Sequence, residues 1–159
     1  MKLHAAARLF SVLVIILFIS CSKSSSEEPK ISQEQLETIT GMYNLTEYII
    51  SPAQDLNDDE VFSENLLDEL DCLNASIILR EDLSFSLFAV QLDFTSITND
   101  QYVIRCSYNT TTTGTWDLVN NQIVLSQGTE GTFSLNGSVL TRTEGKNLPD
   151  FQRMVFQKQ

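Results

Sequence analysis

The segment Leu83–Phe94, LSFSLFAVQLDF, is the stretch that decides the fold class of this chain. Its apolar residues alternate in two successive sets: Leu83, Phe85 and Leu87, then Phe88, Val90, Leu92 and Phe94. A period of two is the pattern of a half-buried β-strand, but the one-residue shift between the sets would turn the second set to the opposite face. A β-bulge near Leu87 and Phe88 would keep one apolar face and bend the strand, as strands bend in barrels. The alternatives are a separate strand from Phe88 onward, or a strand that is apolar on both faces.

Short runs of β-branched, aromatic and alternating apolar residues flank this segment on both sides. The runs are 43–50, 76–80, 102–106, 116–118, 123–125, 131–135, 138–143 and 152–157. Asn120-Asn121 and Asn136-Gly137 are typical of tight hairpin turns, whereas NTTTT, residues 109–113, predicts a polar loop. Turn signals that recur every 8 to 12 residues or so predict a sandwich or barrel of antiparallel strands.

Two segments have helical rather than strand patterns. Ser32 followed by Gln35 fits a capping box, which predicts a turn or two of helix over 33–38. In 63–70, SENLLDEL, the three leucines share one face at helical spacing. We expect both helices to cover the apolar interior of the sheet.

An apolar run, Leu9–Ile19, follows a short basic head at the N-terminus. As a helix it would reach about 16 Å at ~1.5 Å per residue, against ~30 Å for the hydrocarbon core of a bilayer, so it cannot span stably. Ser20 and Cys21 follow the run, and after them comes SKSSSEEPK (residues 22–30), which contains no apolar residue. We therefore predict a cleavable secretory signal and a flexible tether.

The end of the apolar run, Phe18-Ile19-Ser20-Cys21, resembles the lipobox of bacterial lipoproteins. The resemblance implies that 1–20 is a lipoprotein signal peptide, that Cys21 is lipidated, and that 21–31 is the tether. Two or more acyl chains anchor a protein stably, so a membrane is the implied partner. Ser22 after the cysteine is similar to outer-membrane sorting signals, which implies a lipid anchor in the outer membrane, on its periplasmic or cell-surface face. The alternative is a plain signal peptide with an incidental cysteine.

The composition is acidic, and removal of the signal makes it more so. The chain has 10 basic and 21 acidic residues; without Lys2 and Arg8 it keeps 8 basic residues, and its formal net charge becomes −13. Nucleic-acid binding depends on Lys and Arg contacts to phosphate, so we expect no nucleic-acid partner. The oligomeric state is left open by the sequence.

The only histidine, His4, lies in the predicted signal. The mature chain would therefore lack Ser-His-Asp and Cys-His catalysis as well as imidazole metal sites, and we expect no enzyme activity. With Cys21 acylated, Cys72 and Cys106 are an even pair in an oxidising compartment, which predicts a disulfide. The alternative, a thiol nucleophile, has no base to activate it.

The order of several short motifs resembles the bacterial lipocalin-like lipoproteins. These are the lipobox, the acidic DLNDDE (residues 55–60), Asn65-Leu66-Leu67, Cys72, Cys106 and Gly114-Thr115-Trp116. Gly41-Met42-Tyr43 is similar to the Gly-x-Trp motif that opens the first strand of lipocalins, but Tyr43 stands in place of Trp. The resemblance implies an all-β fold over 32–159: an up-and-down antiparallel lipocalin-like β-barrel of about eight strands with one or two short helices.

Such a barrel can hold one small ligand or be filled by its own side chains. In the first case it would bind a small hydrophobic or amphipathic ligand, in the second it would be a structural or protein-interaction module of the cell envelope. Seven aromatic residues are candidates for the lining: Tyr43, Tyr48, Phe85, Phe88, Tyr102, Trp116 and Phe133. Inward small or polar residues and an open mouth would favour a ligand.

The acidic loop also suggests a Ca²⁺ site. Asp55, Asn57 and Asp59 occupy alternate positions, as the first ligands of a calcium loop do, and Ser63 could supply a ninth-position oxygen. However, Glu60 stands where a glycine should make the turn, and a leucine stands where a bidentate Glu should be. The alternative is a solvated acidic turn, and apart from this Ca²⁺ we expect no cofactor.

Overall fold

The computed structural model describes residues 31–99, 101–126, 131–143 and 150–159, with side chains from 153 onward in the last range. Ile31–Gln159 form one compact unit. The predicted signal peptide, the lipidated Cys21 and the tether up to Lys30 lie outside the described residues and stay predictions. Ile31, the last residue of the predicted tether, packs against the barrel core.

Nine strands and two helices follow one another along the described part of the chain. They are α1 (Gln33–Ile39), β1 (Gly41–Gln54), β2 (Ser63–Asn65), α2 (Leu66–Glu69), β3 (Ala75–Leu79), β4 (Ser84–Ser96), β5 (Tyr102–Val119), β6 (Gln122–Ser126), β7 (Gly131–Asn136), β8 (Val139–Arg142) and β9 (Asp150–Lys158). Eight antiparallel strands, β1 and β3 to β9, pair in chain order, and β9 pairs again with β1, so the sheet closes. β2 adds to the edge of β1. The predicted all-β, up-and-down lipocalin-like barrel is confirmed.

The first helix covers one end of the barrel. Its capping box is complete: the Ser32 hydroxyl accepts a hydrogen bond from the Gln35 backbone N–H at 3.2 Å, and the Gln35 side chain accepts one from the Ser32 N–H at 3.0 Å. The Tyr43 hydroxyl donates to the carbonyl of Ile39, the last residue of α1, at 2.7 Å. The predicted helix is confirmed, and this bond fastens it to the first strand.

The predicted helix over 63–70 is wrong in its first part. Ser63–Asn65 form β2, and only Leu66–Glu69 are helical. The cause is Asn65, whose side-chain oxygen accepts from the Tyr48 N–H at 3.0 Å and the Leu67 N–H at 3.3 Å. One amide thus fastens the segment to β1 and caps the short helix.

The interior consists of two apolar clusters, which we name after the helix that lies at each. The α1-end cluster contains Ile39, Tyr43, Ile77, Leu79, Phe85, Leu87, Trp116, Ile123, Leu125, Phe133, Leu135, Leu140 and Phe156. The α2-end cluster contains Tyr48, Ile50, Leu66, Leu73, Tyr102 and Ile104. Met154 packs against both clusters, so the core is continuous from one end to the other.

The bulge predicted near Leu87 and Phe88 is wrong in position. β4 pairs regularly with β5 from Ser84 to Val90, and the register shifts only between Val90 and Leu92. Leu87 accordingly lies in the α1-end cluster, whereas Leu92 packs against the α2-end cluster. The change of phase in the sequence is real, but it occurs nearer the end of the strand.

The polar loop predicted for NTTTT is also wrong. β5 runs from Tyr102 to Val119 without interruption, and residues 109–113 pair with β4. Threonine is β-branched and suits a strand, and the run contains no glycine or proline. Because Thr112 pairs with Leu87 and Thr110 with Ala89, these two threonines face the inside of the barrel.

A disulfide joins Cys72, after α2, to Cys106 in β5, with a Cα–Cα distance of 6.3 Å. The predicted pairing is confirmed. The 34-residue separation corresponds to a stabilisation of between ~3 and ~5 kcal/mol in the chain-entropy model. The bond holds the α2 segment against the far end of the barrel.

We predict that Gly114→Ala destabilises the barrel by about 2 kcal/mol or more, because overpacking costs ~1–3 kcal/mol. An added Cβ would overlap the Ser126 backbone carbonyl and lie 2.8 Å from the Phe85 ring. Urea unfolding followed by circular dichroism measures the free energy of unfolding. Gly137→Asn is the control, because Asn tolerates the φ of +59° and nothing lies within 4 Å of an added Cβ. Equal stability of Gly114→Ala and the parent chain would contradict the prediction.

Candidate ligand site in the barrel

Six of the seven aromatic residues proposed to line a ligand cavity lie inside the barrel. Tyr43, Phe85, Trp116 and Phe133 belong to the α1-end cluster, and Tyr48 and Tyr102 belong to the α2-end cluster. The prediction that Phe88 lines the interior is wrong. Phe88 lies on the outside of the barrel with 41% of its surface exposed, because the register keeps Leu87 on the inner face. Whether the other six contact a ligand stays a prediction.

The α1 end of the barrel is filled by close packing. The Phe133 and Phe156 rings meet edge to face at 5.8 Å, and the Trp116 indole N–H donates to the Arg80 carbonyl at 3.0 Å. With Tyr43 bonded to α1, the polar atoms of the aromatic residues are already paired. We infer that this end is a structural plug.

Arg142 is the polar residue that breaks this apolar pattern. On β8 it follows the fully buried Leu140 by two residues and therefore shares its inward face. Its cross-strand partner is Met154, which touches both clusters. The guanidinium carbon lies 5.9 Å from the centroid of the Phe133 ring, which is cation–π range. A half-buried positive charge thus projects into the barrel beside the core.

Further polar side chains lie on the inner face of the β4–β5 hairpin. Thr110 and Thr112 are half-buried, although Leu87, which pairs with Thr112, is buried. The Gln91 amide donates to the Thr110 hydroxyl at 3.2 Å. We call Gln91, Thr110, Thr112 and Arg142 the inward polar set. It gives the barrel an amphipathic rather than a wholly apolar interior.

Electrostatics couple Arg142 to Tyr48. Burial lowers the pKa of Arg142, and the interaction with Tyr48 opposes that shift. Burial raises the pKa of Tyr48 to about 12, and the charge of Arg142 works in the other direction. At neutral pH the tyrosine is a neutral hydroxyl and the arginine is a cation, as arginine is throughout proteins. The site therefore combines the positive charge of Arg142 with the neutral hydroxyl of Tyr48.

The sequence interpretation did not single out Arg142 or the threonines. The signal for Arg142 was the alternation in SVLTRT, where a residue two positions after an inward leucine must also point inward. The signal for the threonines was the β-branched run itself. Both require the register with a neighbouring strand before the inner face is known.

A concave region lies at the α2 end of the barrel and has a volume of about 770 Å³. We call it the mouth cleft. Its lining combines apolar residues (Leu56, Phe62, Leu70, Ile97, Tyr102, Val103, Ile104), charged and amide residues (Gln54, Asp55, Asp58, Gln101, Arg105) and the disulfide. The Gln54 side chain, almost fully buried, accepts from the Tyr102 N–H at 3.0 Å and fixes one wall.

The predicted calcium ligands lie together in the loop that borders this cleft, but the oxygens of Asp55 and Asn57 accept hydrogen bonds from the loop backbone. Both Asp55 and Asn57 accept from the Asp59 N–H, at 3.3 and 3.1 Å. The Ser63 hydroxyl instead donates to the Asp68 carboxylate at 2.9 Å. These hydrogen bonds hold the loop in its turned conformation.

Glu60 adopts a φ of +70°, so the turn forms without the glycine of a calcium loop. Within the described ranges, no group of three or more His, Cys, Asp or Glu side chains could hold a metal ion. The Ca²⁺ site stays a prediction of the sequence.

Comparison with known proteins found no matching family model, curated protein or solved structure. In the part of the chain that the structure describes, no helix is long and apolar enough to cross a bilayer. The interpretation of the site rests on its own geometry.

We predict that the free energy of unfolding decreases between about pH 10 and 12. Tyr43 and Tyr48 have a pKa of about 12 in the barrel against about 10 when unfolded. A raised pKa stabilises the fold fully below the unfolded value, and this stabilisation is lost as the pH rises through the folded value. Tyr48→Phe should show a smaller decrease in urea unfolding across this range, whereas Tyr108→Phe, at an exposed residue, should match the parent. An unchanged decrease in Tyr48→Phe would contradict the prediction.

Proposed function

We propose that the protein is a non-enzymatic, envelope-anchored lipoprotein whose barrel binds a small amphipathic ligand with an anionic head group. The observation that carries this proposal is the inward guanidinium of Arg142. The guanidinium lies over the Phe133 ring on the inner face of the barrel. It has five N–H donors in a planar fork, and a carboxylate needs two of them. The side chain can therefore bind an anionic head group in addition to its contacts within the protein.

The surroundings of Arg142 support an amphipathic rather than a purely polar ligand. Met154 and Phe133 provide apolar surface next to the charge, and Tyr48 provides a neutral hydroxyl whose pKa the charge influences. Ligand sites combine such apolar lining with a few polar groups that fix orientation. The half-buried Thr110 and Thr112 add hydroxyl groups on the inner face, whereas the α1-end plug limits how deep a ligand can reach.

The alternative is a structural or protein-interaction module with a barrel filled by its own side chains. The close packing of the α1-end cluster favours it, since thirteen buried residues already fill that part of the interior. The two functions differ in what Arg142 does: it binds a ligand in the first, and it makes contacts only within the protein in the second.

The anchor in this proposal is the thiol of Cys21, on the strength of the lipobox resemblance of Phe18-Ile19-Ser20-Cys21. Acyl chains would hold the barrel at the outer membrane, and the acidic mature chain would add little attraction to anionic head groups. A binding barrel held there would take up its ligand next to the lipid surface.

We predict that Arg142→Met removes a preference for carboxylate amphiphiles. Calorimetric titration with dodecanoate and with 1-dodecanol measures the preference. The parent should bind the acid about tenfold more tightly, the effect of a charged hydrogen bond worth roughly 1.5–3 kcal/mol. Arg142→Met should bind both equally, because methionine keeps the apolar stem without the charge.

Arg153→Met is the matched control for this titration. Arg153 is an exposed arginine whose guanidinium forms a salt bridge with Glu47 at 2.8 Å, so its loss should leave the preference intact. Circular dichroism checks that each variant is folded. If the parent binds neither amphiphile, or if Arg142→Met keeps the preference, ligand binding at Arg142 is rejected. The result would then favour the alternative, a structural or protein-interaction module whose barrel is filled by its own side chains.

We predict that the mature protein purified from its bacterial host carries acyl chains on Cys21. Mass spectrometry of the N-terminal peptide should show the added fatty acids, and detergent phase separation should place the protein in the detergent phase. The variant Cys21→Ser should move to the aqueous phase, because no thiol remains for acylation. A free thiol on Cys21, or a mature chain that starts elsewhere, would contradict the lipoprotein assignment.

A further inference from the structure

We propose that the mouth cleft docks a basic amphipathic peptide segment of another protein. The cleft lies at the α2 end, and neither Arg142 nor Tyr48 lines it. The inference therefore goes beyond the proposed ligand site and does not depend on it.

The cleft offers apolar surface that the barrel does not cover. Phe62 and Ile97 both line it, yet 60% and 54% of their surfaces are exposed. Leu56, Leu70 and Ile104 extend the apolar lining inward. A volume of about 770 Å³ lies within the ~300–1,000 Å³ of typical binding sites. Exposed apolar side chains gathered at a concave surface are characteristic of interaction sites.

The negative charge of the cleft determines which kind of molecule it can bind. The segment Asp55–Asp71 contains eight acidic and no basic residues, and two of the acids, Asp55 and Asp58, line the cleft itself. Among the described residues that line the cleft, the one basic residue is Arg105. It lies directly across from Asp93 in the β4–β5 pairing. We call the acids of the segment 55–71 the acidic rim and the apolar lining residues the apolar floor. The acidic rim beside the apolar floor attracts cations and repels anionic lipid head groups. A complementary occupant has apolar side chains flanked by Lys or Arg.

The cleft is held in shape before any partner binds. The Cys72–Cys106 disulfide forms part of its wall. The carboxylate of the buried Glu69 accepts from the Leu56 N–H at 2.8 Å, which fastens the acidic loop to α2. A preformed site loses less conformational freedom on binding, so more of the contact energy remains as affinity.

The number of carboxylates favours a peptide over a small amine. A single ammonium group could meet the two carboxylates that line the cleft, Asp55 and Asp58. A helix or strand with several basic residues could also reach the exposed acids of the same segment, such as Asp59, Glu60 and Glu64. Docking of an amphipathic segment in an apolar groove is a common mode of peptide recognition.

The test is calorimetric titration of the full mature chain with a synthetic peptide of Leu and Lys about 12 residues long. The binding should be salt-dependent, as expected of exposed charges. Phe62→Ser and Ile97→Ser should each weaken it about tenfold, because each removes one buried apolar side chain from the complex. Asp58→Asn should weaken it several-fold. Circular dichroism confirms folding, which exposed substitutions leave intact.

Phe88→Ser and Glu34→Gln are the matched controls. Phe88 is an exposed phenylalanine on the outer wall, and Glu34 is an exposed acid on α1, so both variants should bind the peptide as the parent does. Phe62→Ser should still bind dodecanoate as the parent does, which separates failure of the cleft from failure of the barrel site.

Four results would overturn the proposal. The first is equal binding of a Ser/Lys peptide, which would mean charge attraction without the apolar cleft. The second is displacement of the peptide by dodecylamine at similar affinity, which would assign the cleft to a small amine. The third is a dimer in sedimentation that Phe62→Ser dissociates, which would make a second copy the occupant. The fourth is unchanged affinity in Phe62→Ser and Ile97→Ser.

Discussion

The pairing of β1 with two strands at once is the constraint on which the rest of the structure depends. Tyr43 pairs with Ile77 of β3 on one edge and with Lys158 of β9 on the other. This closure leaves no free edge among the strands that meet there and fixes which side chains point inward along each of them. The α1-end cluster and the inward direction of Arg142 both follow from that register.

Closure also makes the two ends of the barrel unequal. At the α1 end, a capped helix and a dense aromatic cluster leave the interior filled. At the other end, the segment 55–74 is irregular apart from the short β2 and α2. It is held by specific bonds, such as the hydrogen bonds of the Asn65 side chain and the Cys72–Cys106 disulfide. Irregular segments on a rigid scaffold are where binding surfaces commonly develop. The mouth cleft accordingly lies at the α2 end, and Arg142 lies beside Met154, where the two clusters meet.

The features that the sequence predicted correctly are local or nearly so. The capping box at Ser32, the Asn120-Asn121 turn, with φ of +51° and +65°, and the alternating strands depend on neighbouring residues. The wrong predictions depend on long-range register. The segment 109–113, NTTTT, is typical of a loop until β4 pairs with it. Phe88 is predicted to point inward until its pairing with β3 and β5 places Leu87 inside. The inward direction of Arg142 could not be predicted for the same reason.

The place of the single tryptophan has a practical consequence. Trp116 is 2% exposed inside the α1-end cluster, and its N–H is bonded to the Arg80 carbonyl at the β3–β4 turn. Its fluorescence emission therefore reports on the packed interior alone. Molecules that settle on the acidic rim should leave the spectrum unchanged, whereas opening of the barrel should shift it to the red. Trp116 is therefore an intrinsic fluorescent probe of whether the barrel is folded.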